Sequence, residues 1–208
     1  MATFTDFYPS IMPYAPGCPT MVVDRAVLDM ARDFCTITGC LRQTVTVPVT
    51  ATQDKATIPV AAGYEVVDIK AAWWGNAALT PAQQDAFDLA PVRLAASTDS
   101  KPQYYTATAS AIRLYPTPSI TDATSLTVEV TVRPTLAATT IDDSLRDRFA
   151  VEIANGALWR VLRTPNQPFA NTDLALQYKR MYDTGRSAAR AFFNSGGQEA
   201  RVAMRRWI

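Results

Sequence analysis

The side chains that do most enzymatic chemistry are sparse in this sequence, and one is missing. There is no histidine among 208 residues, which removes Ser-His-Asp and Cys-His activation of a nucleophile and every histidine-ligated zinc site. Paired carboxylates, a lysine or a glycine-rich phosphate loop would remain, and no phosphate-loop motif is present. The most conspicuous acidic pair, Asp142-Asp143, follows Thr139-Thr140 and opens a helical run. Carboxylates there complement the positive end of the helix dipole, so the pair reads as a helix start rather than an acid–base dyad. Cys18, Cys35 and Cys40 match no metal spacing and are expected to be reduced thiols. The expectation is a chain that is not an enzyme and takes no cofactor or metal.

Two other groups of residues could bind rather than react. Trp73-Trp74 and Tyr104-Tyr105 could stack on a sugar, but strand alternation would turn one member of each pair inward. Lys179, Arg180, Arg186, Arg190, Arg201, Arg205 and Arg206 crowd positive charge into the last thirty residues. That pattern suits a DNA-contacting surface, and equally a solvated helix face followed by a tail. The overall charge of +1 and mean hydropathy of −0.03 show no global bias toward nucleic acid or membrane. No basic segment followed by an apolar run suggests a signal peptide, and no apolar stretch approaches the roughly 20 residues that span a bilayer.

The elements that would position these residues change period twice. In "IMPYAPGCPTMVVDRAVLDMARDFC", Pro13, Pro16 and Pro19 predict a stiff, extended lead-in, with a turn at Gly17. Thr20 is the expected N-cap of a helix over 20–38, with Val23, Val27, Met30 and Phe34 on its buried stripe and Gly39 as its terminator. From 43 to 134 the text reads as short strands: "TVTVPVT", "YEVVDIKAAWW", "AIRLYPTPS" and "SLTVEVTVRP". Prolines such as Pro48 suit sheet edges. Within "LTPAQQDAF", Thr80 as N-cap and Pro81 at the first helical position predict a helical turn or two.

The helical period then returns over 141–163, with Leu145, Phe149, Ile153, Gly156 and Trp159 on one stripe. It continues over 172–193, with Leu174, Tyr178, Met181, Gly185, Ala188 and Phe192 on another. "NSGGQEARVAMRRWI" opens too flexibly to continue the helix. The expected fold class is α+β: a helical bundle with an inserted, mainly antiparallel β domain and an extended C-terminal tail. Its parts are a strap and first helix (1–42), the β insert (43–136), two further helices (137–194) and the tail (195–208).

In this order the residues resemble head-to-tail adaptor (head completion, or connector) proteins of tailed bacteriophages, most closely those of short-tailed phages. "MPYAPGCP" before a helix ending "ARDFC" is similar to that family's proline-rich strap and first helix, with Asp33 a departure from an apolar or small position. "AIRLYPTPS" and "LTVEVTVRPT" resemble its last β-hairpin. Ala154, Gly156, Ala157, Leu158, Leu162, Pro165 and Pro168 match its helix–loop–helix pattern, and the likeness is weakest over 75–100.

The resemblance implies a structural virion protein at the portal vertex, the head-tail junction, assembled in the host cytoplasm. Such proteins form a homo-oligomeric ring, typically a dodecamer, that joins portal to tail and surrounds the channel for genome ejection. The implied partners are other copies of itself, the portal protein, a tail or nozzle protein with tail fibres, and the genomic DNA in transit; no membrane is involved. The implied portal-binding residues are Arg201, Arg205, Arg206, Trp207 and Ile208, Trp and Arg being the types that dominate interface energetics. Phe7, Tyr8, Met12 and Tyr14 are expected to make strap or subunit contacts, and Lys179, Arg180, Arg186 and Arg190 to face a DNA channel. A DNA- or glycan-binding module with a helical base and a β domain is the alternative.

Overall fold

The computed structural model of the chain describes residues 1–51, 54–83, 101–108, 110–119 and 122–195. It divides into two units, Met1–Cys40 with Pro134 onward, and Leu41–Arg133. The architecture is α+β, with helices in the first unit and mainly antiparallel strands in the second.

The first unit begins with a two-residue strand, β1 (Ala2–Thr3), paired antiparallel with β10 (Thr140–Ile141). The segment that follows is not extended. A 3₁₀ turn (Phe4–Phe7), the single turn α1 (Tyr8–Ile11) and a second 3₁₀ turn (Met12–Tyr14) wind it helically. Pro9 and Pro13 each occupy the first turn of one of these pieces, where the missing N–H costs nothing and φ near −65° already suits a helix. Tyr8 and Met12, each preceding a proline, hold helical φ/ψ against the usual tendency. Burial of Phe7 and Ile11 on the helices outweighs that local preference.

Helix α2 spans Thr20–Thr38. Pro19, not Thr20, is its N-cap residue, and Thr20 is already helical. The expected stripe of Val23, Val27, Met30 and Phe34 is buried throughout. Gly39 ends the helix in the left-handed conformation (φ 63°, ψ 31°), which costs a residue without Cβ nothing. Helix α3 (Asp143–Leu162) starts as the acidic pair suggested: Asp142 is the N-cap, its carboxylate accepting from the Ser144 N–H at 2.9 Å, and Asp143 lies in the first turn. At Phe149 the backbone leaves helical geometry and α3 kinks (φ −133°, ψ 20°). Helix α4 (Thr172–Asn194) is capped by Asn171, which accepts from the Leu174 N–H at 3.0 Å.

The three long helices pack on one another. Gly156 of α3 makes this possible, since a Cβ there would lie 2.8 Å from Met30 Cε and 3.0 Å from the Tyr182 ring. Phe34 meets Phe149 at 4.9 Å and Tyr182 at 6.4 Å between ring centroids. The buried line of α4 differs from the expected one: it runs through Ala175, Tyr182 and Ala189, while Met181 and Ala188 are exposed.

The second unit holds two four-stranded sheets. One has the order β2 (Arg42–Val49), β9 (Asp122–Pro134), β4 (Tyr64–Trp74) and β5 (Ala77–Ala78). The other has β3 (Lys55–Thr57), β8 (Ala111–Tyr115), β7 (Tyr104–Thr108) and β6 (Thr80–Pro81). Strand β9 alternates, with Leu126, Val128, Val130 and Val132 fully buried. Pro48 lies where the β2–β9 register shifts, on an edge strand, as a residue without an N–H must. Thr80 and Pro81 do not start a helix: they pair in parallel with Tyr104 and Tyr105, the Thr80 N–H bonding the Gln103 carbonyl at 2.9 Å. The rest of that expected turn, from residue 84, lies outside the described residues.

Candidate interaction site

The N-terminal segment is held to its own helices. Phe7 is buried, and the Tyr8 hydroxyl donates to Asp24 of α2 at 2.7 Å. That bond, with some desolvation behind it, pushes the Tyr8 phenol up. Met12 is half-buried, and Tyr14 is exposed but meets Tyr178 of α4 edge to face at 5.8 Å. Tyr8 and Tyr14 thus tie the strap to α2 and α4 of the same subunit, with Phe7 buried and about half of the Tyr14 side chain left exposed.

The cations expected to face DNA do not form one free stripe. Lys179 donates to Asp183 at 2.6 Å, and Arg186 reaches Asp183 at 3.1 Å and Asp33 of α2 at 2.8 Å. The Tyr182 hydroxyl donates to the same Asp33 oxygen at 2.7 Å. Burial first, and then this bond, hold the Tyr182 phenol far above its ordinary range. Asp33 is therefore an anchor for α4, a role that its sequence position alone did not suggest. The i, i+4 and i, i+3 spacings of Lys179, Asp183 and Arg186 were the available signal for the rest of this network. Arg180 and Arg190 do stand exposed on α4.

Beside the strap, Tyr14, Val151, Leu158, Leu174, Tyr178 and Met181 line an open groove of about 470 Å³ between the strap, α3 and α4. Tyr14, Val151 and Met181 are 53, 64 and 52% exposed. Three large apolar side chains this open around one groove form a patch of the kind that marks binding surfaces. At the far end of α3, Trp159 lies beneath two cations, Arg163 at 5.4 Å and Lys179 at 5.6 Å from its ring centroid. In the β unit, Trp74 and Tyr105 point inward, while Trp73 is half-buried and Tyr104 just exposed, so neither pair forms a two-ring stacking surface. The expected portal-binding residues Arg201, Arg205, Arg206, Trp207 and Ile208 lie outside the described residues.

Among the described residues no cluster of His, Cys, Asp and Glu could hold a metal ion, and no helix is long and apolar enough to cross a membrane. Against known families, the model of the SU10 adaptor protein matches residues 3–206. No curated protein matches the chain.

Proposed function

This chain belongs to the SU10 adaptor protein family, structural head-tail adaptors of bacteriophage virions, and on that premise we propose that it forms a closed ring joining portal to tail. In this reading about a dozen copies, the number that the resemblance implies, surround the channel through which the genome leaves. A closed ring needs a heterologous interface, one face of a subunit meeting a different face of its neighbour. The observation that carries the reading is the apolar groove at Tyr14, Val151 and Met181, open on a helical unit whose core is already satisfied. One face of the interface lies there, with polar helix surface around it, as in interfaces with an apolar centre and a wet rim.

The same reading assigns the tail to the portal. Arg201, Arg205 and Arg206 meet acidic portal groups, and Trp207 and Ile208 fill an apolar groove of that partner. Exposed Arg180 and Arg190 are the helical cations left to face DNA, since Lys179 and Arg186 are spent on Asp183 and Asp33. In the same reading the opposite face of the ring takes the tail or nozzle protein.

Native mass measurement of the protein alone and mixed with its portal tests this. The expected result is a monomer alone and a cyclic stoichiometry on the portal, with deletion of 199–208 abolishing attachment while the subunit stays folded. A protein that stays monomeric with its portal present would overturn it.

A further inference from the structure

We propose that Cys35 and Cys40 form an oxidisable dithiol, the site of an intrachain disulfide at the C-terminal end of α2. Cys35 lies in the last turn of α2 and is fully buried, whereas Cys40, just beyond the helix, is half-buried. Their sulfurs are 3.9 Å apart, with the Cys40 thiol directed at the Cys35 sulfur. The juxtaposition is built by the helix end. Gly39 in the left-handed conformation turns the chain back, and its N–H bonds the Cys35 carbonyl at 3.0 Å, which brings residue 40 over residue 35. A disulfide requires an S–S distance of about 2.05 Å, so the sulfurs must approach by about 2 Å. A change of side-chain torsion at the less buried Cys40 can supply that movement. Cys18 is differently placed, its thiol directed at the Pro19 carbonyl at 3.7 Å.

The two thiols divide the chemistry. The hydrogen bond from Cys40, and then burial, hold the Cys35 thiol well above its ordinary pKa, so Cys35 is a poor first nucleophile. Cys40, the more accessible, reacts first. With hydrogen peroxide as oxidant, the Cys40 thiolate attacks one peroxide oxygen, the O–O bond breaks, and a sulfenic acid forms as hydroxide leaves and takes up a proton to become water. The Cys35 sulfur then attacks the Cys40 sulfur and loses its proton, and the sulfenic oxygen leaves as a second water. In sum two thiols and one peroxide give one disulfide and two waters. The bond closes a short loop and clamps the last turn of α2 at Cys40, the last residue before the chain enters the β unit.

The sequence makes the test direct, because trypsin cleavage after Arg32 and Arg42 leaves both cysteines on one peptide, residues 33–42. The folded full-length protein is treated with hydrogen peroxide, then denatured, alkylated with a maleimide and digested. The expected 33–42 peptide is lighter by two hydrogens, unlabelled, and restored to two labels by dithiothreitol, while the Cys18 peptide is labelled in both states. The variant Cys40→Ser should give a 33–42 peptide with Cys35 singly labelled after the same treatment. The proposal is overturned if both cysteines of the wild-type peptide remain labelled. It is equally overturned if Cys40 stops at an oxygenated acid, or if the bridge appears between two chains on a non-reducing gel.

Discussion

Helices α2 and α4 belong to the same bundle and have similar lengths, yet they are built to opposite plans. Helix α2 buries nine of its 19 residues and α4 only three of its 23. The first has apolar groups on a wide stripe, met by α3 on one side and α4 on another. The second buries only two alanines and one tyrosine, adds half-buried contacts such as Tyr178 on Tyr14 and Phe193 on Phe149, and is fixed by the polar anchor of Tyr182 and Arg186 on Asp33. About half of the residues of this helix are left exposed. On the function proposed above, α2 is the element that makes the subunit, and α4 is the element that it would offer to a neighbour.

The largest effect should come from deleting the centre of α2. Phe34→Ala removes a fully buried ring packed on Phe149 and Tyr182, at a cost of about 3–5 kcal/mol. Chemical denaturation would read this as a lower midpoint. Gly156→Ala should come next, because the added methyl meets Met30 and Tyr182 inside their packing distance. Overpacking costs about 1–3 kcal/mol, partly offset by the roughly 1 kcal/mol that alanine gains over glycine in a helix. If this variant were more stable than wild type, the close approach of α2, α3 and α4 would be wrong.

The polar anchor gives a smaller effect with a distinctive pH signature. Tyr182→Phe should cost about 1 kcal/mol, since Asp33 keeps Arg186 and is partly open to water. The folded-state pKa of Tyr182 lies above its unfolded value of 10.0. Its contribution is therefore fully present below pH 10 and is lost as the pH rises beyond it, because only the unfolded chain releases the proton. Wild type should lose stability above that pH faster than the Phe variant, which denaturation curves at neutral and alkaline pH would compare. The smallest effect on folding belongs to the exposed face: Met181→Ala should change stability by no more than about 0.5 kcal/mol, while weakening assembly on the portal.

The same contrast explains what the sequence could and could not show. The stripe of α2 was legible because Val23, Val27, Met30 and Phe34 are unambiguously apolar and recur at the helical period, and because Gly39 ends it. The stripe of α4 was displaced by one residue: Tyr182 carries a hydroxyl and Met181 does not, yet the tyrosine is buried because Asp33 accepts its hydrogen bond. That partner is 149 positions away, beyond the reach of any local pattern. Gly17 (φ 80°) and the extended Pro19 are as the sequence suggests, but the helical winding over 4–14 is not legible locally, since a proline φ near −65° serves an extended segment and a first helical turn alike. Burial of Phe7 and Ile11 decided between them. The β1–β10 pairing is two residues long on each side, too short to show alternation. The kink at Phe149 has neither proline nor glycine beside it to announce it, and nothing in the structure explains it.

That α4 and the strap supply the assembling face can be tested by hydrogen exchange on the free subunit and on the portal-bound complex. The account predicts that amides of 8–16, 150–158 and 174–182, around the Tyr14, Val151 and Met181 groove, gain protection on assembly, while the already buried amides of α2 change little. Formation of the complex with those segments unaltered, and with new protection confined to the β unit, would contradict it.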